Sequence, residues 1–363
     1  MRKGRGGGVM LPASLADNAA VLNPEPAWGS LPDTMHILIV KMTSLGDVVH
    51  MLPALTEAVG HVPGLRADWV VEDSFAAIPG WHPAVERVIP IALRRWRRAP
   101  GKGATWREMA RFRRELRQRQ YDLVVDGQGL IKSALVSLFA RGERAGLDRR
   151  SAREGLAALA YGRAYPASRG LHAITRNRLL MAQALGYEIQ GAASWESDIH
   201  YGVSPPHVEM AERLPEDFLV CLHGTARPEK EYPEAQWATL LRLLLAAGHA
   251  VVLPWGNDRE HSRAQRLALA APGARVLPRL GLGQLAGVLG AARGVIGVDT
   301  GLMHLAAAFH KPGVGLYPAT PPGLYGVRAE AYAPAMVNLA AAGELQPDRV
   351  AARVLELCPS PPG

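Results

Sequence analysis

Three short segments carry the side chains that can do chemistry, and each leaves an apolar run to enter a helical one. Val40-Lys-Met-Thr-Ser-Leu-Gly-Asp47 brings the carboxylate of Asp47 to a helix start. There it can cap the helix or act as a general base that takes a proton from an attacking hydroxyl. Leu222-His-Gly-Thr-Ala-Arg-Pro-Glu-Lys230 offers Gly224 and Thr225, small enough for backbone N–H groups to approach a phosphate. Lys230 supplies a mobile point charge suited to a diphosphate, although the flanking Glu229 and Glu231 also fit a charge-balanced solvated loop. Val298-Asp-Thr-Gly-Leu-Met-His304 sets Asp299, Thr300, Gly301 and Leu302 at a helix N-terminus, an anion site by virtue of its unpaired N–H groups and dipole. His304, one turn further on, is either structural or able to reach a phosphate or the neighbouring loop. Glu260 follows another strand end and suits a ribose diol as hydroxyl acceptor, as well as being an ordinary surface acid.

A lopsided basic cluster comes between the first two segments. Arg94, Arg95, Arg97 and Arg98 surround Trp96, and Lys102, Arg107, Arg111, Arg113, Arg114, Arg117 and Arg119 follow; the acids within the span are Glu108 and Glu115. It suits a carboxylate- or phosphate-bearing partner, a membrane surface or RNA. The lack of an aromatic-rich platform for stacking bases weighs against nucleic acid. Gly281-Leu-Gly283 lacks the third glycine and the preceding strand of a dinucleotide fingerprint, and neither a P-loop, a zinc-protease motif nor a nucleophile elbow is present. No Asp-x-Asp pair is available to hold a divalent cation against a diphosphate, so a diphosphate leaving group would rely on protein cations and helix ends.

The elements that must position these residues alternate strand and helix. Ile37–Val40 is a continuous β-branched and Leu run, the mark of a strand covered on both faces. Strands are expected at 67–71 and 123–125 and helices at 48–59, 107–119 and 133–140, the last in the core. After a Pro-containing linker at 201–206 the alternation restarts: strands at 218–222, 250–254, 295–298 and, last, 313–317; helices at 236–247, 259–270, 282–292 and 301–308. A final helix at 348–357 is placed to pack back across the junction. Two α/β domains facing one another, 35–200 and 207–363, follow from this pattern. Asp126-Gly-Gln-Gly-Leu130 faintly echoes Asp299-Thr-Gly-Leu302, which reads more as the way strand-to-helix turns are built than as shared ancestry. Residues 1–34, with Gly6-Gly7-Gly8, scattered Pro and no signal-peptide pattern, are read as a flexible N-terminal extension, and Met35 is an alternative start. With 363 residues, 48% of them apolar, the chain can bury two cores. Its two cysteines make neither a disulfide framework nor a metal motif, which suits a reduced compartment, and its net charge of +8 favours anionic partners.

Taken together, 40–50, Trp81-His-Pro-Ala-Val-Glu-Arg-Val-Ile-Pro90, Arg94-Arg-Trp-Arg97, Asp126-Gly-Gln-Gly-Leu-Ile-Lys-Ser133, Pro254-Trp-Gly256 and Val298–Leu305 resemble the lipopolysaccharide heptosyltransferases of glycosyltransferase family 9. The likeness runs from Met35 to the C-terminus, and the Arg-Arg-Trp-Arg and Gln-Gly-Leu-Ile-Lys-Ser segments favour the members that add the first core heptose. It implies the GT-B fold, with two Rossmann-like domains facing across a cleft. It also implies inverting, metal-independent transfer of L-glycero-D-manno-heptose from ADP-heptose to Kdo (3-deoxy-octulosonic acid) of Kdo2-lipid A, with no cofactor. By this likeness Asp47 is the catalytic base, Thr225 and Lys230 contact the diphosphate, Glu260 the ribose, and Asp299, Thr300, Gly301, Leu302 and His304 form the donor turn. Arg94, Arg98, Lys132 and Arg153 meet the anionic acceptor, at the cytoplasmic face of the inner membrane, where the protein would be peripherally bound. Two residues depart from the pattern: Ala226 replaces a second hydroxyl, and Leu280 a Met against adenine. A later heptosyltransferase, a family member with another nucleotide-sugar donor, and a non-catalytic nucleotide- or anion-binding module remain as alternatives.

Overall fold

Ile37, Leu38, Ile39 and Val40 are each 0% exposed, as an unbroken apolar strand requires. Ile37 and Ile39 face one core, and Leu38 and Val40 the other. The computed structural model describes residues 34–189, 198–208, 213–225, 227–330 and 332–359. Most of the extension read at 1–34, and Ala226, lie outside them. The first sheet contains β1 (Met35–Val40), β2 (Leu65–Glu72), β3 (Val85–Ile91), β4 (Gln120–Asp126), β5 (Arg141–Leu147) and β6 (Arg163–Tyr165). Its helices of five or more residues are α1 (Leu45–Val49), α2 (Leu52–His61), α3 (Leu93–Arg98), α4 (Gly103–Leu116), α5 (Ile131–Phe139) and α6 (Ala173–Leu185). The second sheet contains β7 (Phe218–Leu222), β8 (Ala250–Leu253), β9 (Arg275–Val276), β10 (Gly294–Val298), β11 (Gly313–Leu316) and β12 (Met336–Leu339). With it go α7 (Glu234–Ala246), α8 (Asp258–Ala270), α9 (Leu282–Ala291), α10 (Gly301–Ala308) and α11 (Pro347–Leu357).

Both sheets are parallel, and their orders, β3-β2-β1-β4-β5-β6 and β9-β8-β7-β10-β11-β12, are the same. Each reverses direction between its first and fourth strands, β1/β4 and β7/β10, and the crevice outside such a switch point is where ligands bind in doubly wound sheets. The faint sequence echo therefore falls on corresponding strands, β4 and β10.

Five readings are corrected. The helix expected over 48–59 is two, because Pro53 has no N–H to continue α1 and instead opens α2. The strand at 313–317 is not the last, since β12 pairs outside it. The basic helix ends at Leu116, with Arg119 beyond it. The supposed core helix at 133–140 buries only one face: Leu135, Leu138 and Phe139 are exposed. Finally, α11 packs on α7 and β11 of its own domain. What crosses the junction instead is the stretch 324–330. Ala173 N donates to Leu324 O at 3.0 Å, and Tyr201 Oη donates to Arg328 O at 2.8 Å.

Candidate active site

The two switch points abut. Helix α1 begins just past β1 and α10 just past β10, and they meet glycine to glycine. A Cβ on Gly301 would lie 2.8 Å from Gly46 N and 2.9 Å from Leu45 Cβ, and one on Gly46 would lie 3.1 Å from His304 Cδ2. Only residues without side chains let these helix ends come so close, and this sets Asp47, next in sequence to Gly46, beside the donor turn.

Asp47 does cap its own helix. Its Oδ2 accepts from Ser44 N at 2.7 Å and Ser44 Oγ at 3.0 Å. Its other oxygen has no hydrogen-bond partner among the described residues, so the two readings of this residue coexist: one oxygen holds the turn and the other is left for chemistry. Beneath it lies a residue of the same motif to which no sequence pattern assigns a role. Lys41 is 6% exposed, with Nζ donating to Gly127 O at 2.5 Å and Asn177 Oδ1 at 3.2 Å. Burial lowers its pKa, and the Asp47 carboxylate pulls it back up. Gln128 Oε1 accepts from Met42 N at 3.0 Å and Thr43 N at 3.1 Å, fastening the β4 turn to the β1 turn. Asp126, at 0% exposed, ties its own turn through Gln128 N at 2.8 Å and takes a hydrogen bond from Tyr161 Oη at 2.7 Å. Its pKa is raised by burial.

In the first domain, Lys132 Nζ reaches Thr43 Oγ1 at 3.5 Å, and the Arg153 backbone lies against the Gly129 turn. Lys132 thus borders the β1/β4 crevice, and the Arg153 charge is near enough to Lys41 to help lower its pKa. Arg94 and Arg98 stand apart on α3, at the end of β3; Arg94 is exposed with its guanidinium 5.7 Å above the Phe75 ring, and neither is linked directly to Asp47. Their neighbours are structural. Arg95 pairs with Asp73 at 2.6 Å and Glu108 at 3.0 Å, buried Trp96 donates to Glu108 at 2.8 Å, and Arg119 pairs with Asp68 and Glu86.

In the second domain, the structure gathers Thr225, Lys230 and Asp299. Lys230 Nζ sits 2.5 Å from Asp299 Oδ2, which also accepts from Thr320 Oγ1 at 3.0 Å, and Thr225 Oγ1 donates to Asp299 O at 3.2 Å. Asp299 thus aims the ammonium at the mouth of α10, where Thr300 is the N-cap residue and Gly301 and Leu302 open the helix. Glu260 closes the neighbouring loop, accepting from Gly256 N at 2.8 Å and Asn257 Nδ2 at 2.8 Å, and Gly224 is flat because a Cβ there would strike the Glu260 carboxyl at 2.7 Å.

His304 is buried and turned towards the other domain. Its Nδ1 lies 3.1 Å from His50 Nε2, a pairing across 254 residues that no local pattern announces. Burial pushes His304 down to about 4 and His50 well below its ordinary value, so both are neutral near pH 7. His50 Nδ1 is buried without a partner. An empty lone pair there is tolerated better than an orphaned N–H, so the His50 proton belongs on Nε2, donated to His304 Nδ1. His304 then carries its proton on Nε2, on the side of Gly46. His172 completes the stack, its ring edge-on to His50 at 5.6 Å and its Nε2 2.9 Å from Gly326 O of the second domain.

A model of glycosyltransferase family 9 (heptosyltransferase) matches residues 109–357. Lipopolysaccharide heptosyltransferase 1 of Pseudomonas aeruginosa is 47% identical over 307 residues, 84% of this chain and 83% of the relative. The chain belongs to glycosyltransferase family 9. Within that family, Escherichia coli K12 lipopolysaccharide heptosyltransferase 1 is 44% identical over 293 residues, covering 80% of this chain and 90% of the relative. The solved structure of E. coli heptosyltransferase WaaC with ADP superposes with a TM-score of 0.77 at 40% identity, covering 89% of this chain and 98% of that one. The architecture of this family 9 glycosyltransferase is accordingly GT-B. Among its described residues no group of three or more His, Cys, Asp and Glu side chains has metal-holding geometry, and no helix is long and apolar enough to cross a membrane.

Proposed function

We propose that this enzyme transfers L-glycero-D-manno-heptose from ADP-heptose to a Kdo hydroxyl of Kdo2-lipid A, inverting the anomeric centre without a metal ion. The observation that carries the reading is the Gly46–Gly301 contact, which brings a half-buried carboxylate with one oxygen to spare against a cationic, helix-capped anion site. Relatives at 44–47% identity named heptosyltransferase 1, and E. coli WaaC solved with ADP and with ADP-2-deoxy-2-fluoro heptose, support the choice of donor and acceptor.

Asp47 takes the proton of the acceptor hydroxyl as its oxygen bonds to the anomeric carbon. The bond from that carbon to the diphosphate oxygen breaks, and its electron pair leaves with ADP. Lys230, held by Asp299, and the N–H groups opening α10 stabilise the charge that develops there; Thr225 contacts the diphosphate and Glu260 orients the ribose. Lys132 and Arg153 hold the Kdo carboxylates beside Asp47, while Arg94 and Arg98 meet more distant anionic groups of the acceptor at the cytoplasmic membrane face. A base on one domain and a leaving-group site on the other make domain closure the step that assembles the catalyst and excludes water.

The test incubates the protein in EDTA with ADP-heptose and Kdo2-lipid A, beside Asp47→Asn, following ADP release and acceptor mass. Asn keeps a capping oxygen but cannot take the proton, so folding and ADP binding persist while transfer falls by about 10²–10⁴-fold. Wild-type turnover in Asp47→Asn eliminates this base. ADP release without a heptose-sized mass gain eliminates this acceptor.

A further inference from the structure

Large apolar side chains on a protein surface are normally scattered singly. Here eight of the fourteen exposed ones among the described residues stand on α4, on α5 and on the adjoining short turn Gly155–Ala160. Trp106 (62%) and Met109 (39%) of α4 face Leu135 (53%) and Phe139 (42%) of α5 across a groove of about 1310 Å³. Apart from Gln118, the side chains around this groove are apolar or cationic. Its interior is apolar down to buried Trp96 and Phe112, and its charged lining is Arg107, Arg113, Arg114, Arg117 and Lys132, with no Asp or Glu. None of these five cations has an acidic partner among the described residues, and the Arg113 guanidinium rides 5.4 Å above the Phe139 ring. Apolar floor and wholly cationic rim, with an exposed Trp between them, are what the boundary of an anionic bilayer matches: hydrocarbon for the floor, phosphate for the rim. At one end of the groove Lys132 touches Thr43 of the Asp47 turn, so the same surface that meets hydrocarbon opens onto the acceptor side of the cleft.

We propose that the α4–α5 groove seats the enzyme on an anionic phospholipid bilayer, taking acyl chains between Trp106, Met109, Leu135 and Phe139 while the surrounding arginines hold headgroup phosphates. The inference rests on the membrane-face reading above and adds to it a specific apolar insertion site, distinct from attraction by charge alone. An acceptor anchored in the same leaflet then presents its sugar to Asp47 from the Lys132 end.

Flotation of the full chain with vesicles of phosphatidylethanolamine and phosphatidylglycerol, against phosphatidylcholine alone, tests it beside the double variant Trp106→Ser/Leu135→Ser. Both side chains are exposed, so the variant keeps its Tm and its turnover on a de-acylated, water-soluble acceptor. Its partitioning onto the anionic vesicles falls by roughly tenfold or more, and Trp106 of the wild type is quenched by lipids brominated on the acyl chain. High salt weakens wild-type flotation without abolishing it, because the apolar contribution is unscreened. If the variant floats like the wild type, attachment is electrostatic only: the groove inference falls and the membrane-face reading stands. If the wild type fails to float on anionic vesicles, both fall. A drop of several degrees in Tm with unchanged flotation means that another part of the chain, residues 1–33, packs on this face, and that also overturns the inference.

Discussion

Gly301→Ala tests whether contact of the two helix ends matters for turnover. The added Cβ would sit 2.8 Å from Gly46 N, 2.8 Å from Leu45 Cδ2 and 2.9 Å from Leu45 Cβ. Carbon contacts settle at about 3.5–4.0 Å; Leu45 Cδ2 can turn aside, but Gly46 N is backbone and Leu45 Cβ is fixed to it, so α1 and α10 must separate by roughly 0.7–1 Å. A misplacement of about 1 Å between reacting groups costs on the order of 10²-fold. The expected result is a fall in kcat/KM of roughly 10–100-fold with ADP affinity changed by less than about threefold, since the proposed ADP site lies in the second domain. Initial rates of ADP release and calorimetric titration with ADP measure the two. Gly46→Ala is milder, because its nearest obstacle is an imidazole carbon at 3.1 Å. Gly283→Ala, with nothing within 4 Å of its Cβ, leaves the rate unchanged and adds about 0.4–1 kcal/mol of stability. Wild-type kcat/KM in Gly301→Ala refutes the argument, and a parallel loss of ADP binding moves the damage into the donor turn itself.

Two further outcomes follow from the donor side and the histidine stack. Lys230→Met removes the cation that Asp299 aims and leaves that mostly buried carboxylate facing the diphosphate site, so ADP affinity drops by at least about tenfold; titration at equal affinity in both proteins counts against Lys230 as the diphosphate contact. Burial puts His304 at about 4 and His172 at about 3 in the fold, against about 6.5 unfolded. The unfolded chain therefore binds more protons below pH 6.5, and the stability these residues contribute is complete above 6.5 and lost as pH falls towards 4 and then 3. For His304 alone this amounts to roughly 3 kcal/mol. Urea midpoints should fall steadily from pH 6.5 to 4, less steeply in His304→Gln; a flat profile would contradict the burial of the stack.

Much of the site was legible because it is local. A strand buried on both faces leaves a continuous apolar run, the turn after it needs small residues, and a functional carboxylate or cation at that turn is next in sequence. Hence Asp47, Asp299 and Gly301 could be placed at strand ends, and Lys230 in the loop that leaves β7, from residue types alone, and β7, β10 and α10 lie within a residue of where the pattern puts them. Elements whose order comes from their surroundings were not legible. α6 is buried on almost every side, so it shows no amphipathic stripe, and β5 (Arg-Gly-Glu-Arg-Ala-Gly-Leu) is held by its pairing to β4 rather than by any alternation of its own.

The sequence by itself determined two parallel α/β units, the family, and the residues at their strand ends. Only the tertiary structure decided what those residues face: Lys41 beneath Asp47, His50 holding His304 from the other domain, glycine against glycine at the junction, and an apolar surface on a helix that reads as core. Composition and period report how a residue meets its near neighbours, whereas these contacts join positions as far as 254 residues apart and exist only once both sheets have formed.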